Sequence, residues 1–161
     1  MRAVRAIAAL VCAAALSVAP GAAQARAGAG RACRADVHLG VLPVWARAGF
    51  SDPQPRLPHV LGRSGKIAAL VFGYPLLSPP SPTRNNKILW VARASVRPLS
   101  ALRISAQRMI GRRRLGRPIT RAVQGGPGPS IVNLPTPGCW RLRLRWSGRS
   151  DSLDLRYARR S

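Results

Sequence analysis

The stretch "GCWRLRLRWSGRSDSLDLRY", residues 138–157, constrains the fold more than any other. Large apolar residues and arginine alternate with a period of two, the period of a strand with one buried face. The pattern breaks at "SGRS" and resumes, so a hairpin is expected. If Trp146 faces Asp151 across a four-residue loop, then Leu144 meets Leu153, Leu142 meets Leu155 and Trp140 meets Tyr157. The other face then pairs Arg143 with Asp154, and Arg141 with Arg156. This register gathers the large apolar side chains, and a slip by one residue would scatter them. The alternation needs no ligand to explain it: one face makes core and the other meets water.

Upstream, similar runs recur at short intervals. "DVHLGVL" (36–42) alternates, "IAALVFGY" (67–74) is continuously apolar, and "KILWVARASV" (87–96) carries Ile88, Trp90 and Ala92 on one parity. "ALRISAQRM" (101–109), "PITRAVQ" (118–124) and "SIVNL" (130–134) read as further strands. A short amphipathic helix over 99–110 is the alternative to the first of these, because its apolar positions suit either period. The segments 51–65 and 74–86 hold too many prolines for helix interiors and read as connections. The run 111–117, "GRRRLGR", reads as a loop. About eight short strands between Pro- and Gly-rich turns predict an all-β antiparallel sandwich.

The N-terminus reads differently. Arg2 and Arg5 precede an apolar run over about residues 6–18, then Pro20, Gly21 and the small-x-small pattern Ala23-Gln24-Ala25. This is the pattern of a secretory signal peptide, residues 1–25, cleaved after Ala25. The run is shorter than the roughly 20 residues that span a bilayer, although retention as an anchor is the other possible fate. Residues 26–34 are mostly Arg, Ala and Gly, a flexible lead-in to a single domain at 35–161. Cys12 leaves with the signal segment. Cys33 and Cys139 remain, and in an oxidising compartment this even pair is expected to form a disulfide, two free thiols being the alternative.

Lys and Arg together number 27 against 4 Asp and no Glu, a formal charge of +23. Such a chain attracts polyanions in a salt-dependent way. GC-rich codons also favour Arg, Ala, Gly and Pro, so the charge points to a site only where residues cluster. Three clusters stand out. Arg84 and Lys87 flank Asn85 and Asn86 at a strand entry. Arg112, Arg113 and Arg114 are consecutive. Arg141, Arg143 and Arg145 form a row on the water-facing side of the hairpin. The planar guanidinium fork suits phosphate and carboxylate. The hairpin tryptophans lie on the opposite parity from these arginines, so the aromatic interleaving of a nucleic-acid reader is absent, and no specific nucleic-acid target is expected.

The phrase "PSIVNLPTPGCWRLRLRW", with "NNKILWVA" upstream, resembles a strand entry in bacterial immunoglobulin-like and fibronectin-type domains. It is similar to a group of secreted bacterial proteins and lipoproteins that share a K-x-L-W strand and a PS-x-x-x-LP-x-PG-C-W-R strand. The matching residues are Lys87, Leu89 and Trp90, then Pro129, Ser130, Leu134, Pro135, Pro137, Gly138, Cys139, Trp140 and Arg141. The resemblance covers roughly residues 60–158 and implies an immunoglobulin-like sandwich of seven to eight strands. It implies no activity. Trp140 stands where tyrosine is commoner, so a hydrogen-bonded tyrosine corner does not follow.

Catalytic and cofactor patterns are weak. Cys33, Cys139, His38 and His59 lack the paired spacing of a zinc site. "GRSGK" (62–66) misses the second glycine of a nucleophile elbow at Lys66. As a phosphate loop it has Val60 and Ile67 at the first Gly and the Ser/Thr positions. Ser64, His59 and Asp52 could be assembled into a triad only on paper. "GGPGPS" (125–130) carries two prolines that remove amide donors from any anion cradle. No cofactor or metal is expected. The sequence therefore points to an exported, non-catalytic interaction or structural module of the cell envelope, expected as a monomer, with anionic envelope polymers or an envelope protein as partner. An extracellular enzyme or protease-inhibitor-like module acting through the proline-rich loops is the alternative.

Overall fold

The computed structural model describes residues 32–94, 96–98 and 100–160. The expected signal peptide, residues 1–25, and residues 26–31 of the expected lead-in lie outside them. Ten strands form two five-stranded sheets that pack as a sandwich. They are β1 (His38–Val41), β2 (Arg56–Leu61), β3 (Ile67–Phe72), β4 (Leu76–Ser78), β5 (Lys87–Ala92), β6 (Leu102–Ile110), β7 (Arg113–Val123), β8 (Pro129–Ile131), β9 (Gly138–Trp146) and β10 (Arg149–Arg159). Sheet A has the order β1-β2-β3-β5-β8 and sheet B the order β4-β10-β9-β6-β7. All pairings are antiparallel except β4 with β10. Among the described residues no helix is long and apolar enough to cross a membrane.

The closing hairpin keeps the expected faces but not the expected register. Trp146 pairs with Arg149, Leu142 with Leu153, Trp140 with Leu155 and Gly138 with Tyr157. The turn is two residues, Ser147 (φ 45°) and Gly148 (φ 72°), not the four of "SGRS". Positive φ at both positions matches a type I′ turn, whose twist suits the flanking strands. Ser147 is held there by its Oγ accepting the Arg97 N–H and by its N–H donating to Ser100 Oγ, both at 3.0 Å. The shift is two residues, so parity and core survive, while Asp154 moves opposite Arg141 instead of Arg143.

Two strands lie in segments expected to be connections. β2 runs through "RLPHVL", and its Pro58 faces Leu39 of β1, outside the stretch His59–Leu61 that pairs with β3. A proline is tolerated there because a donor toward β3 is not required. β4 is a three-residue strand inside 74–86, flanked by cis Tyr74–Pro75 and Ser78–Pro79 peptides. Segment 101–109 is a strand, not a helix, and most of 111–117 belongs to β7. Gln107 alone faces a bulge at 116–118, where its Nε2 donates to the carbonyls of Leu115 (2.7 Å) and Gly116 (3.2 Å).

The core between the sheets contains Trp90, Trp140, Trp146 and Tyr157 with Ile67, Ile88, Ile104, Leu142, Leu144 and Leu155. Three of its four polar handles are paired, while Trp146 Nε1 has no hydrogen-bond partner among the described residues. Trp90 Nε1 donates to Ser130 Oγ (2.9 Å), Trp140 Nε1 to Thr136 O (2.9 Å), and Tyr157 Oη to Val132 O (2.6 Å). The first of these bonds joins the K-x-L-W strand to the serine of the PS-x-x-x-LP strand. Asn86, also buried, bonds both the N–H and the carbonyl of Leu77 and reaches Asn133 Oδ1. Gly138 takes φ 123°, a backbone conformation that side-chain-bearing residues rarely adopt. A second, smaller core lies on the outer side of sheet A. There Trp45 and Phe50, from the β1–β2 connection, join a cluster centred on Leu42, Ala68 and Leu70.

Cys33 and Cys139 form the disulfide, with Cα atoms 6.2 Å apart. Residues 32–34 are not a free lead-in. The Cys33 N–H donates to Gly111 O (2.9 Å), and the Arg34 N–H to Asp154 Oδ2 (2.8 Å).

Candidate polyanion interface

The outer face of sheet B follows from the register. Arg145 and Arg143 of β9 alternate with buried Leu144 and Trp146, so both point to water. Arg103 of β6 lies directly opposite Arg145, and Ser105 directly opposite Arg143. Thr120 of β7 follows Ser105, and Ser150 and Ser152 of β10 face Arg145 and Arg143. The result is a plaid of guanidinium groups and hydroxyls. Directly opposed side chains start about 5 Å apart at Cβ, and alternate residues on one strand stand about 7 Å apart. A shallow hollow of about 580 Å³ lies over Arg103, Ser105, Thr120, Arg143 and Arg145. Like charges directly across a sheet repel. Among the described residues no carboxylate pairs with Arg103, Arg143 or Arg145.

Arg141, expected in the same row, is different. Its Nε and Nη2 lie 2.9 and 3.1 Å from the Asp154 carboxylate, and Nη2 also reaches Ala32 O. Asp154 is buried on this face and takes a second guanidinium, Arg63, at 2.7 Å. The row is thus neutralised at one end and open at the other. Arg114 lies at the Arg141 end, lining a small hollow of about 170 Å³ with Arg141 and Arg143.

Apart from Arg114, the other sequence clusters do not join this face. Arg84 donates to the carbonyls of Tyr74 (3.0 Å) and Pro75 (2.8 Å), tying down its loop. Lys87 sits on sheet A with its ammonium 5.4 Å from the Phe72 ring centre, a cation–π geometry. Arg112 is in the β6–β7 turn, and Arg113 pairs with Ile110 on the opposite parity from Arg114. Arg103 was missing from the sequence clusters. Its signal was the parity it shares with Ser105 and Gln107 in "ALRISAQRM".

The stretches that invited catalytic readings have structural work. "GRSGK" is a turn locked to β10: Asp151 accepts the N–H groups of Ser64 (3.0 Å) and Lys66 (2.9 Å), and Arg63 N–H donates to Ser152 O (2.8 Å). A Cβ on Gly62 would collide with the Asp151 carboxylate. His59 belongs to β2, not to a loop. It is buried, its Nδ1 donates to Leu57 O (2.8 Å), and its ring stacks on His38 at 5.3 Å. Asp52 accepts the Gln54 N–H, so Ser64, His59 and Asp52 each have other engagements. Cys33, Cys139 and Asp154 have potential ligand atoms within 4.8 Å of one another. Both sulfurs are joined in the bridge and Asp154 is held by two arginines, so this trio is no cation cage.

No protein-family model matches this chain, and no curated protein and no solved structure matches it either.

Proposed function

We propose that the protein is an exported, non-catalytic interaction module of the cell envelope that holds anionic polymers on the outer face of sheet B. The observation that carries this reading is the direct opposition of Arg103 and Arg145, with Arg143 beside them and hydroxyls between. An arrangement that repels itself in isolation is relieved by an anion lying across it. The spacing of about 7 Å along β9 suits a chain with regularly repeated phosphates or carboxylates. Export is supported by the N-terminal segment and by the Cys33–Cys139 bridge.

An immunoglobulin-like relationship is supported by the strand order. Taking β3 and β4 as a split first strand, β5 to β10 correspond to B, C, C′, E, F and G. B and E then share one sheet and G, F, C and C′ the other, with β1 and β2 as an added edge. The test of the functional reading is retention on isolated envelope material across a salt series. The Arg103→Ser/Arg143→Ser/Arg145→Ser variant should elute at clearly lower salt than the wild type. Co-elution of the two would remove the outer face of sheet B from the account.

A further inference from the structure

A second basic site lies at the neutralised end of this face, beside the disulfide. A cleft of about 550 Å³ opens where residues 32–36 cross the edge of the sandwich, a volume within the range of small-molecule sites. Arg34, Arg63 and Arg112 line it, with Asp36 and His38 at its side and Leu153 among its apolar contacts. Charge accounting separates these groups. Asp154, also in the cleft, is saturated by Arg63, Arg141 and the Arg34 N–H. Arg63 is thereby committed. The guanidinium groups of Arg34 and Arg112 have no partner among the described residues, and Asp36 is the one carboxylate left to oppose them.

The two free arginines lie far apart in sequence, and one small construction brings them together. Arg34 follows Cys33, which is bonded to Cys139. Arg112 follows Gly111, whose carbonyl accepts the Cys33 N–H. Gly111 (φ 54°) opens the two-residue β6–β7 turn at the position where type II′ turns demand glycine. The bridge, the turn and the Asp154 carboxylate thus fix the backbone that carries both arginines beside one cleft.

We propose that this cleft binds a small carboxylate or phosphate anion between Arg34 and Arg112, and that the Cys33–Cys139 bridge assembles the site. Paired guanidinium forks grip such oxyanions bidentately. Asp36 offers an acceptor to a hydroxyl or ammonium group of the same ligand, and Leu153 an apolar surface for its body. The two gripping residues, Arg34 and Arg112, are distinct from Arg103, Arg143 and Arg145, so the two sites can be varied separately.

The experiment is calorimetric titration of citrate and, separately, inorganic phosphate at fixed ionic strength. The protein is the full mature chain carrying Arg103→Ser/Arg143→Ser/Arg145→Ser, which removes the other basic surface. One saturable site is expected. Citrate alone binding would assign a carboxylate ligand, phosphate alone a phosphate, and both a general oxyanion site. Adding Arg34→Ser/Arg112→Ser should weaken binding about tenfold or more, while adding Arg56→Ser/Arg93→Ser, which removes equal charge elsewhere, should not. Cys33→Ser/Cys139→Ser, with folding verified by near-ultraviolet dichroism, should also lose the site. Absence of saturable binding by both probes would overturn the proposal, as would equal effects of the two arginine pairs. Binding here with no polymer retention by sheet B would leave this site standing and remove the other.

Discussion

Asp154 and Arg141 face each other across β9 and β10 on the outer side of sheet B, yet the Asp154 side chain is 0% exposed. The carboxylate is enclosed by Arg141, by Arg63 from the "GRSGK" turn and by the backbone of Arg34. One buried acid therefore ties a strand, a turn and the N-terminal segment together. It also marks where the basic face stops being free.

Asp154→Asn should accordingly be costly. It leaves two guanidinium groups beside a neutral amide, and breaking a buried ion pair costs about 3–5 kcal/mol. Chemical denaturation of wild type and variant measures this. A loss under about 1 kcal/mol would mean that the three elements hold together without the carboxylate.

The disulfide is expected to contribute comparably. Its two cysteines are 106 residues apart, and closing a loop of that size restricts the unfolded chain by roughly 4–5 kcal/mol. Cys33→Ser/Cys139→Ser should lower stability on this scale while leaving the far-ultraviolet spectrum of a β-sandwich. Intact mass after alkylation without reductant should show both cysteines protected. Two alkylated thiols would contradict the bridge.

Tyr157 gives a pH-dependent signature. Burial pushes its phenol well above the ordinary value near 10. The neutral form is favoured only in the folded state. Its contribution is thus complete below the unfolded phenol's pKa, and it declines as pH rises above that value. Tyr157→Phe loses the bond to Val132 O, about 1 kcal/mol at neutral pH, and should show a flatter fall of stability above about pH 10. An identical alkaline limb in both proteins would show that Tyr157 does not contribute to it.

How far the sequence reveals all this depends on which interactions are local. Alternation identified β9, β10 and their core face, because burial of Trp140, Leu142 and Leu144 imposes the period directly. The register was off by two because Ser147 takes a positive φ, which its type does not advertise, and parity cannot separate shifts of two. β2 and β4 were hidden by Pro58, Pro75 and Pro79, whose cost depends on pairings that only the sheet order supplies. Arg143 and Arg145 were legible as wet residues. That Arg103 opposes one of them, and that Asp154 removes Arg141 from the row, are facts of strand pairing.

The central claim concerns the Arg103, Arg143 and Arg145 face, and the most direct measurement is the salt dependence of binding to long-chain polyphosphate. Binding constants for the wild type, for Arg103→Ser/Arg143→Ser/Arg145→Ser and for the equal-charge control Arg56→Ser/Arg93→Ser/Arg159→Ser would be measured across one salt series. Loss of three phosphate contacts should reduce the slope of log K against log salt by about 2, in the sheet B variant only. Equal slopes and affinities in the two variants would contradict the account, leaving the arginine row a water-facing surface and the attraction a property of the whole charge.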